Sequence, residues 1–186
     1  MPTQAEQKKS ALLADISKLV TTKVPAAQKE LAQAFAARYC NEIDTDEFIA
    51  RDGAAWSALV ASHLAIGQEF QSGAPKMRIF NPKLSEHRWE GPCTVIEFVN
   101  DDMPFLVDSI AIEINRQGIA TQQIIHPLFK AARAQHGALT ELHEAKDGDR
   151  LESWIHVEVE RITDPARIKA LGDGLVTRNG DAWRRQ

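Results

Sequence analysis

The stretch Val95–Ile119, VIEFVNDDMPFLVDSIAIEINRQGI, changes its repeat half-way along. Together with the preceding Cys93 and Thr94, the residues up to Val99 are mostly β-branched and read as a strand. From Leu106 the apolar side chains of Leu106, Val107, Ile110, Ala111 and Ile114 recur at three and four, the spacing of a helix with one buried face, and Gly118 supplies its stop. Asn100, Asp101, Asp102, Met103, Pro104 and Phe105 join the two. Asp102 falls where an N-cap belongs, with Pro104 at the opening of the helix. A carboxylate beside the free amides and positive dipole end of a helix is stabilised by up to about 1 kcal/mol. That reading makes Asp102 architectural and leaves Asp101 on a strand-to-helix loop, where ligand contacts are often found. Proton transfer would need more, because neighbouring side chains diverge and no nucleophile or activating base lies nearby in the chain.

Upstream, the period is helical. Thr3 to Glu6 has capping-box spacing, and Leu12, Ile16, Leu19 and Val20 fall on one face. Pro25 restarts the chain ahead of a second helix carrying Leu31, Ala34, Phe35 and Arg38. Asp44–Glu47 is another cap signal, Asp52-Gly53 a break, and Trp56, Leu59, Val60, His63, Leu64 and Phe70 form a further stripe. Gln71–Pro75 ends this region and divides the chain into a helical segment, 1–74, and a second unit, 75–186.

In the second unit Met77–Phe80 is a short strand that ends at an Asn-Pro turn. Thr121–Ala132 is a strand that bulges at Pro127 or lies at an edge, since proline cannot donate to a ladder. Ala134–Arg150 reads as a long hairpin connection. Glu152–Ile162 alternates, with Ile155, Val157 and Val159 on one face and Trp154, His156, Glu158 and Glu160 on the other. Asp164-Pro165 opens a last helix with Ile168, Leu171 and Leu175 inward, weakened by Gly172 and Gly174. These elements predict an α+β fold: helices first, then a ferredoxin-like sandwich of a mainly antiparallel sheet with helices on one face and a polar outer face.

The net charge of −4 over 186 residues argues against a nucleic-acid partner. Two cysteines, Cys40 and Cys93, are too few for a disulfide framework, and neither has basic neighbours, so both read as packing residues in a reducing, cytoplasmic setting. No signal peptide opens the chain, and no apolar run reaches the roughly 20 residues of a membrane span. On antiparallel strands His126, His156 and Glu158, with Glu97 completing the set, could hold zinc, and a small metal-dependent enzyme built on His126, His156 and Glu158 is a third reading; a polar outer sheet face accounts for them more simply, so no metal ligand is assigned. His136 and His143 read as solvated, and His63 as a hydrogen-bonded, partly buried histidine. Trp56, Trp89 and Trp154 are core or rim anchors, His87–Pro92 is a turn, and Trp183 with Arg184 and Arg185 belongs to a tail that continues into a longer protein. The glycine-rich text at Leu171–Val176 follows a helix, the wrong setting for a dinucleotide fingerprint.

The order strand, Asn100–Pro104, helix, Gln117–Ile119, strand resembles an ACT domain, a small regulatory module that commonly senses amino acids. In that family the first loop often reads Asp, any residue, Pro, Gly; Asp102, Met103 and Pro104 match, and Phe105 replaces the glycine. Phe80–Pro82, Thr94–Ile119, Ile124–Pro127 and Glu152–Arg161 together resemble the N-terminal region of the large bacterial NAD-specific glutamate dehydrogenases. The likeness spans roughly residues 75–165, and the first 74 match only as a polar helical lead-in. It implies a much longer parent that uses NAD to deaminate L-glutamate to 2-oxoglutarate and ammonia, with the catalytic and cofactor-binding residues outside this segment. It implies a regulatory or assembly role here, with other domains of the chain and neighbouring subunits of a homo-oligomer as partners. Asn100, Asp101, Asp102, Met103 and Phe105 then form an effector or docking loop. A glycine would let a ligand approach the backbone, and a phenylalanine ring favours docking instead, flanked by Ser109 and Ile112 off the buried stripe. The alternative is an independent amino-acid-binding ACT protein that grips its effector with the same loop.

Overall fold

The computed structural model describes residues 3–143 and 150–183, with side chains as far as Thr177 in the last helix. Residues 144–149 of the expected hairpin connection, the side chain of Trp183, and Arg184 and Arg185 lie outside the described residues. The chain opens with α1 (Gln4–Val20), whose Thr3 and Glu6 close the predicted capping box. A 3₁₀ turn after Pro25 leads into α2 (Lys29–Asn41). Asp44 caps the short α3 (Thr45–Ile49), and Asp52 caps α4 (Gly53–Ile66) by accepting the Ala55 amide at 2.8 Å. Then follow β1 (Lys76–Phe80), α5 (Leu84–His87), β2 (Cys93–Asp101), α6 (Leu106–Arg116), β3 (Thr121–Ile125), β4 (Leu128–Arg133), β5 (Leu139–His143), β6 (Glu152–Glu160) and α7 (Pro165–Trp183).

All pairings are antiparallel, in the order β1-β2-β6-β4-β5, with β3 also on β6. The long strand expected over Thr121–Ala132 is two strands broken at His126-Pro127. β3 pairs with the second half of β6 and β4 with its first residues, while the Pro127 carbonyl accepts the Trp154 amide at 3.1 Å. The expected hairpin connection contains β5, which pairs with β4 as an edge strand.

The inward rows of the sheet explain the layers. Ile96, Phe98, Ile155, Val157 and Val159 share one face and meet Ile110 and Ile114 of α6 and Leu171 and Leu175 of α7. Gly174 lets the two helices close up: a Cβ there would stand 2.0 Å from Glu113 Oε1. The glycine that weakens α7 in isolation is therefore a contact point. This is the α+β, ACT-like sandwich that the sequence predicts.

The opposite face is not open. Val95, Val99, Phe129 and Trp154 share a core with Phe35, Trp56, Leu59 and Leu64 of the N-terminal helices. Phe35 stacks on Phe129 and tilts against Trp154, each at 4.9 Å between centroids. Gly67, just beyond α4, makes room for that indole, since its Cβ would lie 2.0 Å from the ring. The polar outer face predicted from the alternation of β6 is thus corrected. The apolar stripes of α2 and α4 need a surface to cover, and they cover this one, sealing His156, Glu158 and Glu97 beneath them.

Candidate functional site

Asp101 ends β2 opposite Glu152 and is buried, accepting from the Ser72 hydroxyl (2.9 Å) and the Gly73 amide (2.7 Å). It ties the Gln71–Pro75 connector to the sheet. Asp102 is exposed, yet its Oδ1 takes the Ser153 hydroxyl at 2.6 Å and its own amide donates to the Leu151 carbonyl. Neither caps α6, which corrects the N-cap expected at Asp102. The helix starts later, at Leu106, with Phe105 in the cap position and no side-chain cap bond. Ser153, 51 residues on in sequence, captures the carboxylate that local pattern assigns to the helix.

Asn100 is buried, with an amide nitrogen that finds no partner among the described residues, and Met103 packs partly against the core under α6 and α7. Phe105 has φ +64° and ψ +14°, the left-handed region, and its side chain is 76% exposed. The position of the ACT-type glycine thus keeps a glycine's backbone while bearing a phenyl ring. For a bulky residue that conformation costs on the order of 1–2 kcal/mol. Ile112, seven residues further along α6, is also exposed, at 51%.

His126 touches Ser153 Oγ at 3.0 Å, so His126, Ser153 and Asp102 form a chain. It is no catalytic triad: the fully buried serine stands in the middle and gives its one proton to the aspartate, so His126 donates to the serine oxygen instead of taking its proton. A cleft of about 440 Å³ beside Asp101 is lined by Ser72, Arg133, Arg150 and Glu152. Its charges are already matched, Arg133 to Glu152 at 2.6 and 2.7 Å and Arg150 to Asp101 at 3.5 Å.

Beneath α4 the structure joins three of the residues considered as metal ligands, but not His126. His156 Nδ1 lies 3.4 Å from Glu97 and Nε2 3.2 Å from Glu158. Arg78 Nε donates to Glu97 at 2.6 Å, and Arg51 lies 2.8 Å from Glu158. His63, on α4, completes the group, with Nδ1 at 3.1 Å from the Tyr39 hydroxyl and Nε2 at 3.1 Å from the Phe98 carbonyl. The matching parity of Arg78, Glu97 and His156 on their strands could have signalled the row once register was known; nothing in the sequence points to Arg51. Burial pushes the Glu97 carboxyl up, but His63, His156 and Arg78 outweigh it and hold it at about 2. Burial likewise opposes ionisation of Glu158, and His156 and Arg51 overcome it. His63 is pushed by burial down to about 4. Cys40 and Cys93, both buried, are pushed by burial up to about 12 and about 11, as inert packing thiols should be.

His63, Glu97 and His156 are close enough together to suggest a metal centre. Their donor sets do not fit one. A metal needs imidazole lone pairs; His63 Nε2 faces a carbonyl and so carries its proton, Nδ1 accepts from Tyr39, and both nitrogens of His156 face carboxylates.

A family model described as "Glutamate dehydrogenase, ACT1 domain" matches residues 35–175. The chain belongs to this family. The match begins inside α2, so the ACT1 unit includes helices that cover the second sheet face as well as the sandwich. The NAD-specific glutamate dehydrogenase of Halomonas elongata is 34% identical over 112 residues, which is 59% of this chain and 7% of that protein. That of Pseudomonas aeruginosa is 27% identical over 146 residues, 76% of this chain and 9% of that protein. The chain therefore spans less than a tenth of the length of these curated relatives. One turn of this chain, from β2 into α6, does not fit the pyrophosphate of a nicotinamide dinucleotide. The turn from β2 into α6, where a dinucleotide fold would offer glycines and free amides to pyrophosphate, carries Asp101, Asp102, Pro104 and the ring of Phe105. No helix among the described residues is long and apolar enough to cross a membrane.

Proposed function

We propose that this ACT1 domain is a non-catalytic regulatory and assembly module of a cytoplasmic NAD-dependent glutamate dehydrogenase. In that parent, L-glutamate, NAD and water give 2-oxoglutarate, ammonia and NADH through residues outside this segment. The domain docks, through Phe105 and the flank of α6 that runs to Ile112, on another domain or subunit of the homo-oligomeric parent. The observation that carries this reading is a phenyl ring held in a costly left-handed backbone and turned to solvent. The size of the relatives supports it, since more than nine tenths of their length is available to meet such a surface. Free amino-acid binding at the loop is the weaker reading, because Asp101 and Asp102 are occupied by Ser72, Gly73 and Ser153.

For docking to regulate, the contact must differ between two states of the parent. The test is Phe105→Gly combined with Ile112→Ser in the full-length dehydrogenase, read by light scattering and by glutamate-dependent NADH formation. A smaller assembly or an altered glutamate saturation curve is expected. Unchanged mass and unchanged kinetics would overturn the reading, as would turnover of glutamate by the 186-residue chain alone.

A further inference from the structure

We propose that His156 is a buried imidazolium that clasps the N-terminal helical layer to the sheet, and that loss of its proton at alkaline pH releases that layer. The inference does not depend on the assembly reading. It starts from geometry. Both ring nitrogens face carboxylates, Nδ1 toward Glu97 and Nε2 toward Glu158. An ionised carboxylate only accepts, so both nitrogens must donate, and only the doubly protonated ring can do that. Arg78 and Arg51 keep those carboxylates ionised from the far sides. The result is a row of alternating sign across β1, β2 and β6: Arg78, Glu97, His156, Glu158, Arg51.

The ends of the row grip the helical layer. Arg78 donates to the carbonyl and the hydroxyl of Ser62, near the end of α4, at 2.7 and 2.6 Å. Arg51 lies just ahead of α4 and stacks over the Trp56 ring at 4.5 Å. One helix is thus held at both ends by guanidinium groups whose carboxylate partners share a single central cation. On the opposite face, α6 and α7 meet apolar residues of β2 and β6, so the clasp acts on one side of the sheet.

The surroundings agree. Burial pushes the His156 ring down, but its bonds to Glu158 and Glu97 and their negative charge outweigh this and raise it above the ordinary histidine value. The other groups near it are His63 on α4, held neutral; Tyr39 on α2, held protonated by burial and by the nearby negative charge; and the buried Cys40 and Cys93 thiols. None of them supplies a replacement cation. Without its proton the ring donates to one carboxylate and turns a lone pair on the other, which then sits buried beside like electron density.

A raised folded-state value gives stability that is complete below the free-histidine value of 6.5 and is lost as pH rises through the folded value. Between those two values the folding constant should fall by up to about tenfold per pH unit. The experiment uses the 186-residue chain, labelled with ¹⁵N in its histidines. At pH 7 His156 should show two protonated nitrogens, and its deprotonation at higher pH should coincide with a falling urea midpoint. His156→Gln, which cannot titrate, should be less stable wherever the ring of the unaltered chain is protonated and should lack its alkaline decline. A neutral His156 at pH 7 would overturn the proposal, as would the same alkaline decline in both proteins. If the variant does not fold, the nitrogen spectrum of the unaltered chain decides.

Discussion

Replacing Glu97 by glutamine removes one negative charge from the interior without changing the shape of the side chain. Glu97 is fully buried, accepts from Arg78 at 2.6 Å and faces His156. Its carboxyl, held at about 2, is ionised at pH 7, where the neighbouring His156 and Arg78 favour the charged form and His63 is neutral. Removing one member of a buried ion pair costs roughly 3–5 kcal/mol. The lower end applies here, because the Arg78 side chain is one-third exposed and can turn toward water. The expected loss at pH 7 is therefore about 3 kcal/mol, read from urea unfolding by circular dichroism with an unchanged denaturant slope. The pH dependence sharpens the test. A depressed carboxyl stabilises fully above 4.5 and loses its contribution as pH falls through about 2, so the gap between the two proteins should shrink to about half by pH 3. A gap under about 1 kcal/mol at pH 7, or one that is just as wide at pH 3, would refute the view that this row is ionised and mutually supporting.

Gly67→Ala drives a methyl group into the Trp154 ring, which is enclosed by Phe35, Phe129 and His63; it should cost about 1–3 kcal/mol in urea and shift the tryptophan fluorescence. Phe105→Gly should leave the isolated chain equally stable or stabilise it by about 1 kcal/mol, because it relieves a left-handed phenylalanine and uncovers little; a clear loss would show that the ring packs within the chain. His63 has a folded-state value pushed by burial down to about 4, so its contribution is complete above 6.5 and is lost as pH falls through about 4. Its ring should therefore remain neutral by ¹⁵N spectroscopy at pH 5, and a doubly protonated ring there would contradict the Tyr39 and Phe98 contacts.

Local signals hold where local forces decide. The caps at Thr3 and Asp44 appear where hydroxyl and carboxylate spacing puts them, and the stripe of α6 is buried as its period requires. The misreadings share a cause, which is a partner distant in sequence. Asp102 abandons the helix for Ser153. The short, charged alternation of β5 is no strand signal by itself, and β4 supplies the pairing edge that makes it one. The face bearing Trp154, His156 and Glu158 looked solvated because alternation reports polarity, and polarity tracks exposure only when polar groups lack partners inside. Here Arg78 and Arg51 provide them, one from a strand and the other from a turn between helices.

The two places where local rules fail differ in their consequences. At the buried row, charged residues under a helical layer are compensated link by link, so the departure from ordinary burial is resolved inside the fold. At Phe105 no such compensation occurs. The ring neither caps α6 nor joins the core, and a residue 76% exposed buries little within the chain to offset its backbone strain. If the loop served only to connect β2 to α6, glycine at this position would be better by about 1 kcal/mol. That cost supports the proposal that the ring is kept for a surface outside the chain that buries it. For an ACT1 domain, whose relatives are more than ten times as long as the matched stretch, the proposed partner is the remainder of the dehydrogenase.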